Sequence, residues 1–266
     1  MEWLQIITLA LIQGITEFLP VSSSAHLILP SQLLGWQDQG LAFDVAVHMG
    51  SLVAVVVYFR RDLGGYAQSA ATLVLRRRLD AHAEELGKLA LATLPIVIVG
   101  FFAKGLVETE LRSIAVIAAT TIGFGLLLGF ADMRHGARAL VTWRDALVIG
   151  MMQTLAVIPG TSRSGITITA ALLVGLSRTG AARFSFLLSI PTIAGAGLLS
   201  TVDLATGDDD PQWGLLTTAA ILSGMAAYAC IRAFISLVER TGMLPYVVYR
   251  LALGTLLLVL WLGLWR

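Results

Sequence analysis

The sequence predicts an all-α integral membrane protein, with six spanning helices and two re-entrant helical hairpins arranged as an inverted-topology repeat. Composition is the first ground. The chain is 57% hydrophobic and only 13% charged, with a mean hydropathy of +0.83, far more apolar than a soluble protein of this length. The second is the spacing of apolar runs: six are long enough to span, at residues 41–59, 86–104, 112–131, 182–202, 214–236 and 246–265. The third is a pair of interrupted apolar stretches, one opening the chain and one at about 144–178. Their arms have roughly ten to fifteen residues each, whereas a spanning helix needs about 20, so each stretch reads as a hairpin that dips into the membrane and returns.

The first interruption lies within QGITEFLPVSSSAHLIL, Gln13 to Leu29. Pro20 cannot continue a helix that begins near Glu2, and the serines after it are good N-caps for a second helix running through His26 to Leu34. The second is VIPGTSRSGITIT, where Pro159-Gly160 stops one arm and Thr161, Ser162 and Ser164 can cap the next. Gln13 and Gln153 each precede an apolar step, a proline and a hydroxyl cluster, and Phe43 and Phe184 open the following spans about 140 residues apart. This self-similarity defines a repeat within a single membrane domain of residues 1–266, with halves of about 1–131 and 144–266.

Loop charges set the orientation. With residues 60–85 in the cytoplasm, Arg60, Arg61, Arg76, Arg77, Arg78, Arg134, Arg138, Arg144, Arg178, Arg183 and Arg240 fall inside, while Asp203 and Asp208 to Asp210 fall outside. The hairpins then enter from opposite sides and their tips converge, as in many secondary transporters. Residues 60–85 have room for a short amphipathic surface helix, whose Arg76, Arg77 and Arg78 read either as a topology signal or as a contact with anionic lipid. The net charge of +1 and scattered basic residues leave no footprint for nucleic acid. A lone cysteine, Cys230, excludes an intramolecular disulfide and a cysteine-based zinc site. The opening MEWLQ has neither a basic n-region nor a small-residue cleavage site, so it is expected to remain in the mature protein.

The hairpin tips point to anion chemistry. Each starts a helix whose free N–H groups and positive dipole end bind phosphate or carboxylate readily. Arg163 adds a forked, permanently charged donor suited to phosphate oxygens; its other reading is a salt bridge to Glu17 that closes the two hairpins. A carboxylate in hydrocarbon costs at least about 2.5 kcal/mol, which marks Glu17 as functional. Beside a phosphate it needs a proton, Arg163 or a cation, so a divalent ion, Mg²⁺ or Ca²⁺, held by Glu17 is expected, with pairing to Arg163 alone as the alternative. Ser23 and His26 stand three apart, on one face of a helix, a spacing that suits a nucleophile and base but equally a cap and a structural histidine. Asp44 and His48 share a face of the first span, and Arg250 inside the last span needs a partner or a polar cavity.

These residues resemble a known family. QGITEFLPVSSSAH with PGTSRSG looks like the paired signature of the undecaprenyl-diphosphate phosphatases of the bacitracin-resistance type. Gln13, Glu17, Phe18 to Ser23 and His26 match the first motif; Pro159 to Gly165 match the second without a gap, and Phe43 to Ser51 match an FDxxxHxGS-like span opening. Ala25 stands where the family usually has glycine. The resemblance implies a multi-pass enzyme of the bacterial inner membrane, open to the periplasmic side. It would hydrolyse undecaprenyl diphosphate to undecaprenyl phosphate and phosphate, recycling the lipid carrier of cell-wall synthesis and conferring bacitracin resistance. Glu17, Ser23, His26 and Arg163 are then the expected catalytic residues. Gln13, Ser22, Ser24, Gly160, Thr161, Ser162, Ser164 and Arg250 are expected to bind substrate. The expected mechanism has Ser23 attack with His26 as base, with His26 as the nucleophile or direct attack by water as the alternatives. Partners are the lipid substrate and the bilayer, with a homodimer left open. The rival of another class is a polyprenyl-phosphate flippase, which needs no nucleophile, and a third reading is a non-catalytic membrane assembly protein.

Overall fold

The computed structural model describes residues 3–36, 40–76, 80–106, 111, 113–205 and 212–264. Arg77, Arg78 and Asp208 to Asp210, on which part of the expected orientation rests, lie outside them. In chain order the helices are α1 Trp3–Phe18, α2 Ser23–Leu34, α3 Leu41–Tyr58, α4 Arg60–Arg76, α5 Ala81–Leu106, α6 Ile114–Met133, α7 Trp143–Gln153, α8 Arg163–Leu173, α9 Arg178–Ala205, α10 Trp213–Thr241 and α11 Leu244–Leu264. A 3-10 turn, Thr154–Val157, extends α7, and no strand is present among the described residues. Six helices, α3, α5, α6, α9, α10 and α11, are long and apolar enough to cross a membrane. The chain is therefore an all-α multi-pass membrane protein.

The two broken regions form helix pairs, α1 with α2 and α7 with α8, because in each a proline-containing turn ends the first arm. Each first arm packs on a span from the other half of the chain: α1 lies on α10, and α7 on α5. Both contacts are close enough to require glycine. A Cβ on Gly14 would sit 2.3 Å from the Ser223 carbonyl oxygen, and one on Gly150 2.6 Å from that of Ala92. The start of α1 meets the starts of α3 and α10 through Ile6, Phe43 and Leu216. The start of α7 instead meets the end of α8, through Arg138, which bonds both Asp145 and the Val174 carbonyl.

Arginines stitch the loop ends of the bundle. Arg183 at the start of α9 joins Asp62 of α4 (2.6 Å) and Glu85 of α5. Arg178 makes two parallel bonds to Asp132 at the end of α6, 2.7 and 2.9 Å, and Asp132 also accepts from the Met243 backbone between α10 and α11 (3.1 Å). The basic loops thus act as tertiary clamps, with carboxylates taking up the fork of each guanidinium. Helix α4 fills the expected surface position, with Tyr66 and Ser69 buried against the bundle and Arg60, Arg61 and Gln68 exposed.

Candidate active site

The two tips meet, and the contacts between them are reciprocal. Ser24 Oγ accepts from the Gly160 backbone (3.3 Å), while Ser164 Oγ donates to the Leu19 carbonyl (2.8 Å). Within each tip a serine pair repeats, Ser22 with Ser24 at 3.1 Å and Ser162 with Ser164 at 3.2 Å. Ser22 (φ 74°) and Ser162 (φ 70°) are the only non-glycine residues with positive φ among the described residues. Each immediately precedes a helix, α2 or α8, and each carries strain of about 1–3 kcal/mol that only a restraining environment sustains.

Arg250 supplies much of that restraint. Its side chain is fully buried, with no carboxylate partner among its bonds. Its N–H groups reach the carbonyls of Pro20 (3.3 Å), Gly160 (3.0 Å) and Thr161 (3.0 Å), and those of Thr120 (3.4 Å) and Thr121 (3.1 Å) on α6. It does not line the cavity; its bonds brace both tips. Arg250→Met is expected to cost roughly 3 kcal/mol or more, since several buried carbonyls lose their donor at once. The measure is a lower melting temperature in detergent; an unchanged melting curve contradicts the brace.

In front of the tips lies a cavity of about 550 Å³. Its polar end is lined by Glu17, Ser22, Ser23, Ser24, Ser162 and Arg163, with Asp44 and His48 of α3 opposite; Ile96, Val157, Ile193 and Leu199 form an apolar wall. Ser23 and Arg163 are the first residues of α2 and α8, so two helix N-termini open on one space, an arrangement suited to an anion. Arg163 Nη2 donates to Glu17 Oε1 at 3.0 Å, which realises the hairpin-closing pair. Glu17 Oε2 accepts from Gln13 Nε2 (2.8 Å) and from Ser23 Oγ (3.4 Å), and lies 3.7 Å from His48 Nε2. Gln13 and Thr161 are buried and absent from the cavity wall.

The expected Ser23 and His26 pair is not formed. His26 Nδ1 lies 2.7 Å from the Ser22 carbonyl and Nε2 lies 2.6 Å from the Tyr249 hydroxyl, so both ring nitrogens are engaged away from Ser23. A spacing of three puts the side chains on one face, yet the imidazole turns back into its own turn and stacks on Tyr249. The imidazole that reaches the Glu17 cluster is His48, whose Nδ1 faces the Asp44 carbonyl (2.7 Å). Its sequence signals are the i, i+4 relation to Asp44 and its place in the FDxxxHxGS-like stretch Phe43 to Ser51. Of the serines expected to cap, Ser162 does so, accepting from Gly165 N at 3.1 Å, whereas Ser22 makes no such bond. Ala25 takes the family's usual glycine position in a cluster with Ile117, Ala118, Leu253 and Leu257.

The donor set bears on the expected divalent ion. Among the described residues no three His, Cys, Asp or Glu side chains gather into a metal site, but Glu17 and Asp44 line the same cavity. One or two carboxylates completed by substrate phosphates is a usual way to hold Mg²⁺, and Glu17 and Asp44 are the carboxylates that would be available to such an ion.

The arrangement is a helical membrane bundle in which two helix N-termini open on one cavity that also carries apolar side chains. Residues 6–256 match the family model described as bacitracin resistance protein BacA, and the chain belongs to that family. It is similar to the undecaprenyl-diphosphatase of Alcanivorax borkumensis, 56% identical over 99% of this chain and 100% of that protein. It is also similar to that of Hahella chejuensis, 52% identical over 98% and 99%. The undecaprenyl-diphosphatase 2 of Stutzerimonas stutzeri is 52% identical over 99% and 100%.

Proposed function

We propose that the chain is an undecaprenyl-diphosphatase that converts undecaprenyl diphosphate and water to undecaprenyl phosphate and inorganic phosphate. It thereby returns the cell-wall lipid carrier to use and confers bacitracin resistance. The observation that carries this reading is the cavity itself. It offers two helix N-termini, Arg163 and Ser23 to the diphosphate, and apolar side chains such as Ile96, Val157, Ile193 and Leu199 to the first part of a polyprenyl chain. The near-identity in length with relatives named as this enzyme supports it, and none of those names supports the flippase.

In the mechanism, Ser23 Oγ attacks the terminal phosphorus, the phosphoanhydride bond breaks, and undecaprenyl phosphate departs. Water then cleaves the phosphoserine and regenerates the hydroxyl. Arg163 and the N–H groups opening α2 and α8 hold the equatorial oxygens, where charge is spread in the transition state. The Ser23 proton leaves through Glu17 Oε2 toward His48, the two groups that converge there. The incoming phosphate competes with Glu17 Oε1 for Arg163, and Glu17 then keeps Gln13 and Ser23 as hydrogen-bond donors. Glu17 and Asp44 would hold a divalent ion together with substrate oxygens, and that ion would offset diphosphate charge. His26 serves the shape of the first turn.

The reciprocal tip contacts and the crossed packing of α1 and α7 support re-entrant hairpins in an inverted repeat. The arginine-rich ends then face the cytoplasm of an inner-membrane protein, and the cavity opens to the periplasm. Glu17→Gln tests the charge argument. The single amide oxygen still accepts from Arg163 while the NH₂ can donate to Ser23 Oγ, so the protein should fold, but turnover and its response to added Mg²⁺ or Ca²⁺ should largely disappear. Near-normal, metal-stimulated phosphate release by this variant contradicts the role given to Glu17.

A further inference from the structure

The two tips share a strained serine but restrain it differently. Ser162 is fixed by its own helix: its hydroxyl accepts from Gly165 N (3.1 Å) and its carbonyl from Ile166 N (2.9 Å). Ser22 has no side-chain cap bond, and where the second tip has Ile166 the first has His26. There the imidazole Nδ1 meets the Ser22 carbonyl at 2.7 Å. A carbonyl only accepts, so Nδ1 carries the hydrogen, and in the neutral ring Nε2 is left as an acceptor. Nε2 meets the Tyr249 hydroxyl at 2.6 Å, and the two rings stack with centroids 5.5 Å apart and planes 2° from parallel. Tyr249 adjoins Arg250, which bonds Pro20 of the same turn. Helix α11 therefore grips the turn before Ser23 through two consecutive side chains.

We propose that Tyr249 is a positioning residue for phosphoryl transfer. By donating its phenolic hydrogen to His26 Nε2 it holds the imidazole in the tautomer whose Nδ1–H fixes the Ser22 carbonyl, and so aims Ser23 into the cavity. The inference rests on the reading above that Ser23 attacks phosphorus. A neutral phenol is well suited to the task, since it selects one tautomer without adding charge beside the incoming diphosphate. A 1 Å error in the attacking oxygen is sufficient to cost about a hundredfold in rate, so a group remote from phosphorus has this leverage. Tyr249 does not line the cavity, and its effect should reach turnover rather than affinity.

Tyr249→Phe keeps the ring and its stacking and removes only the hydroxyl. With farnesyl diphosphate in detergent, kcat should fall about tenfold or more, while KM changes less than about threefold and the melting temperature stays within a few degrees. In a His26→Ala background the same substitution should have no further effect on kcat, because the grip is already lost. Independently of activity, ¹⁵N spectra of histidine-labelled protein, with His26 assigned by its loss in His26→Ala, should show the hydrogen on Nδ1 in the wild type and a mixture of tautomers in Tyr249→Phe. An unchanged kcat, a rise in KM alone, or an undiminished effect in the His26→Ala background overturns the proposal. So does a wild-type His26 protonated at Nε2 alone, a result that does not depend on the activity of any variant. Full activity in Ser23→Ala would instead refute the nucleophile, and the tautomer measurement would still report whether Tyr249 holds the turn.

Discussion

Ser23→Ala is expected to lower phosphate release by about a thousandfold or more, with little change in thermal stability. Removing a nucleophile from a site whose other groups remain leaves only positioning and electrostatic assistance to water. Stability should hold because the hydroxyl makes just one long bond, 3.4 Å to Glu17, and loss of such a contact costs no more than about 0.5 kcal/mol. The measurement is single-turnover phosphate release, with acid quenching to trap a phosphoryl-enzyme. The wild type should carry label on Ser23 and the variant none. A variant retaining a tenth or more of wild-type turnover would mean that water attacks phosphorus directly.

Arg163 answers to function and structure at once, and its substitutions separate the two. Arg163→Lys keeps the charge but loses the planar fork, so turnover should fall about a hundredfold while the melting temperature changes little. Arg163→Ala strands Glu17, whose side chain is only 9% exposed, and should cost about 3–5 kcal/mol of folded-state stability. Combining it with Glu17→Gln removes the stranded charge and should recover most of that loss without recovering activity. Turnover and detergent melting of the three variants side by side decide the matter. A fully active lysine variant contradicts the phosphate clamp, and an alanine variant of wild-type stability contradicts the buried pair.

The elements of this fold were legible because each has a local cause. Long apolar runs make α3, α5, α6, α9, α10 and α11, and Pro20 and Pro159 break the hairpins where a helix cannot continue. Glu17 and Arg163 stood out because ionisable groups are costly in apolar segments, and the structure pairs them across 146 residues of sequence. What sequence could not supply were partners chosen by tertiary packing. Arg250 in an apolar run announced a need, but its acceptors are carbonyls scattered over Pro20, Thr120, Thr121, Gly160 and Thr161, which have no side-chain signature. The partners of His26 have no sequence signal, because helical spacing gives faces and not ring orientation, and the Tyr249 phenol it meets is 223 residues away. His48 shared a face with Asp44 in the sequence, yet only the fold shows that this face lines the cavity.

Hydrolysing a lipid diphosphate and moving it across the bilayer are separated by one assay. Purified protein in detergent micelles, where no second compartment exists, should release one inorganic phosphate per undecaprenyl diphosphate consumed, leaving undecaprenyl monophosphate. The activity should disappear in the Ser23→Ala and Arg163→Lys proteins prepared alongside. Binding of the diphosphate without release of phosphate, by folded wild-type protein supplied with Mg²⁺ or Ca²⁺, would contradict hydrolysis.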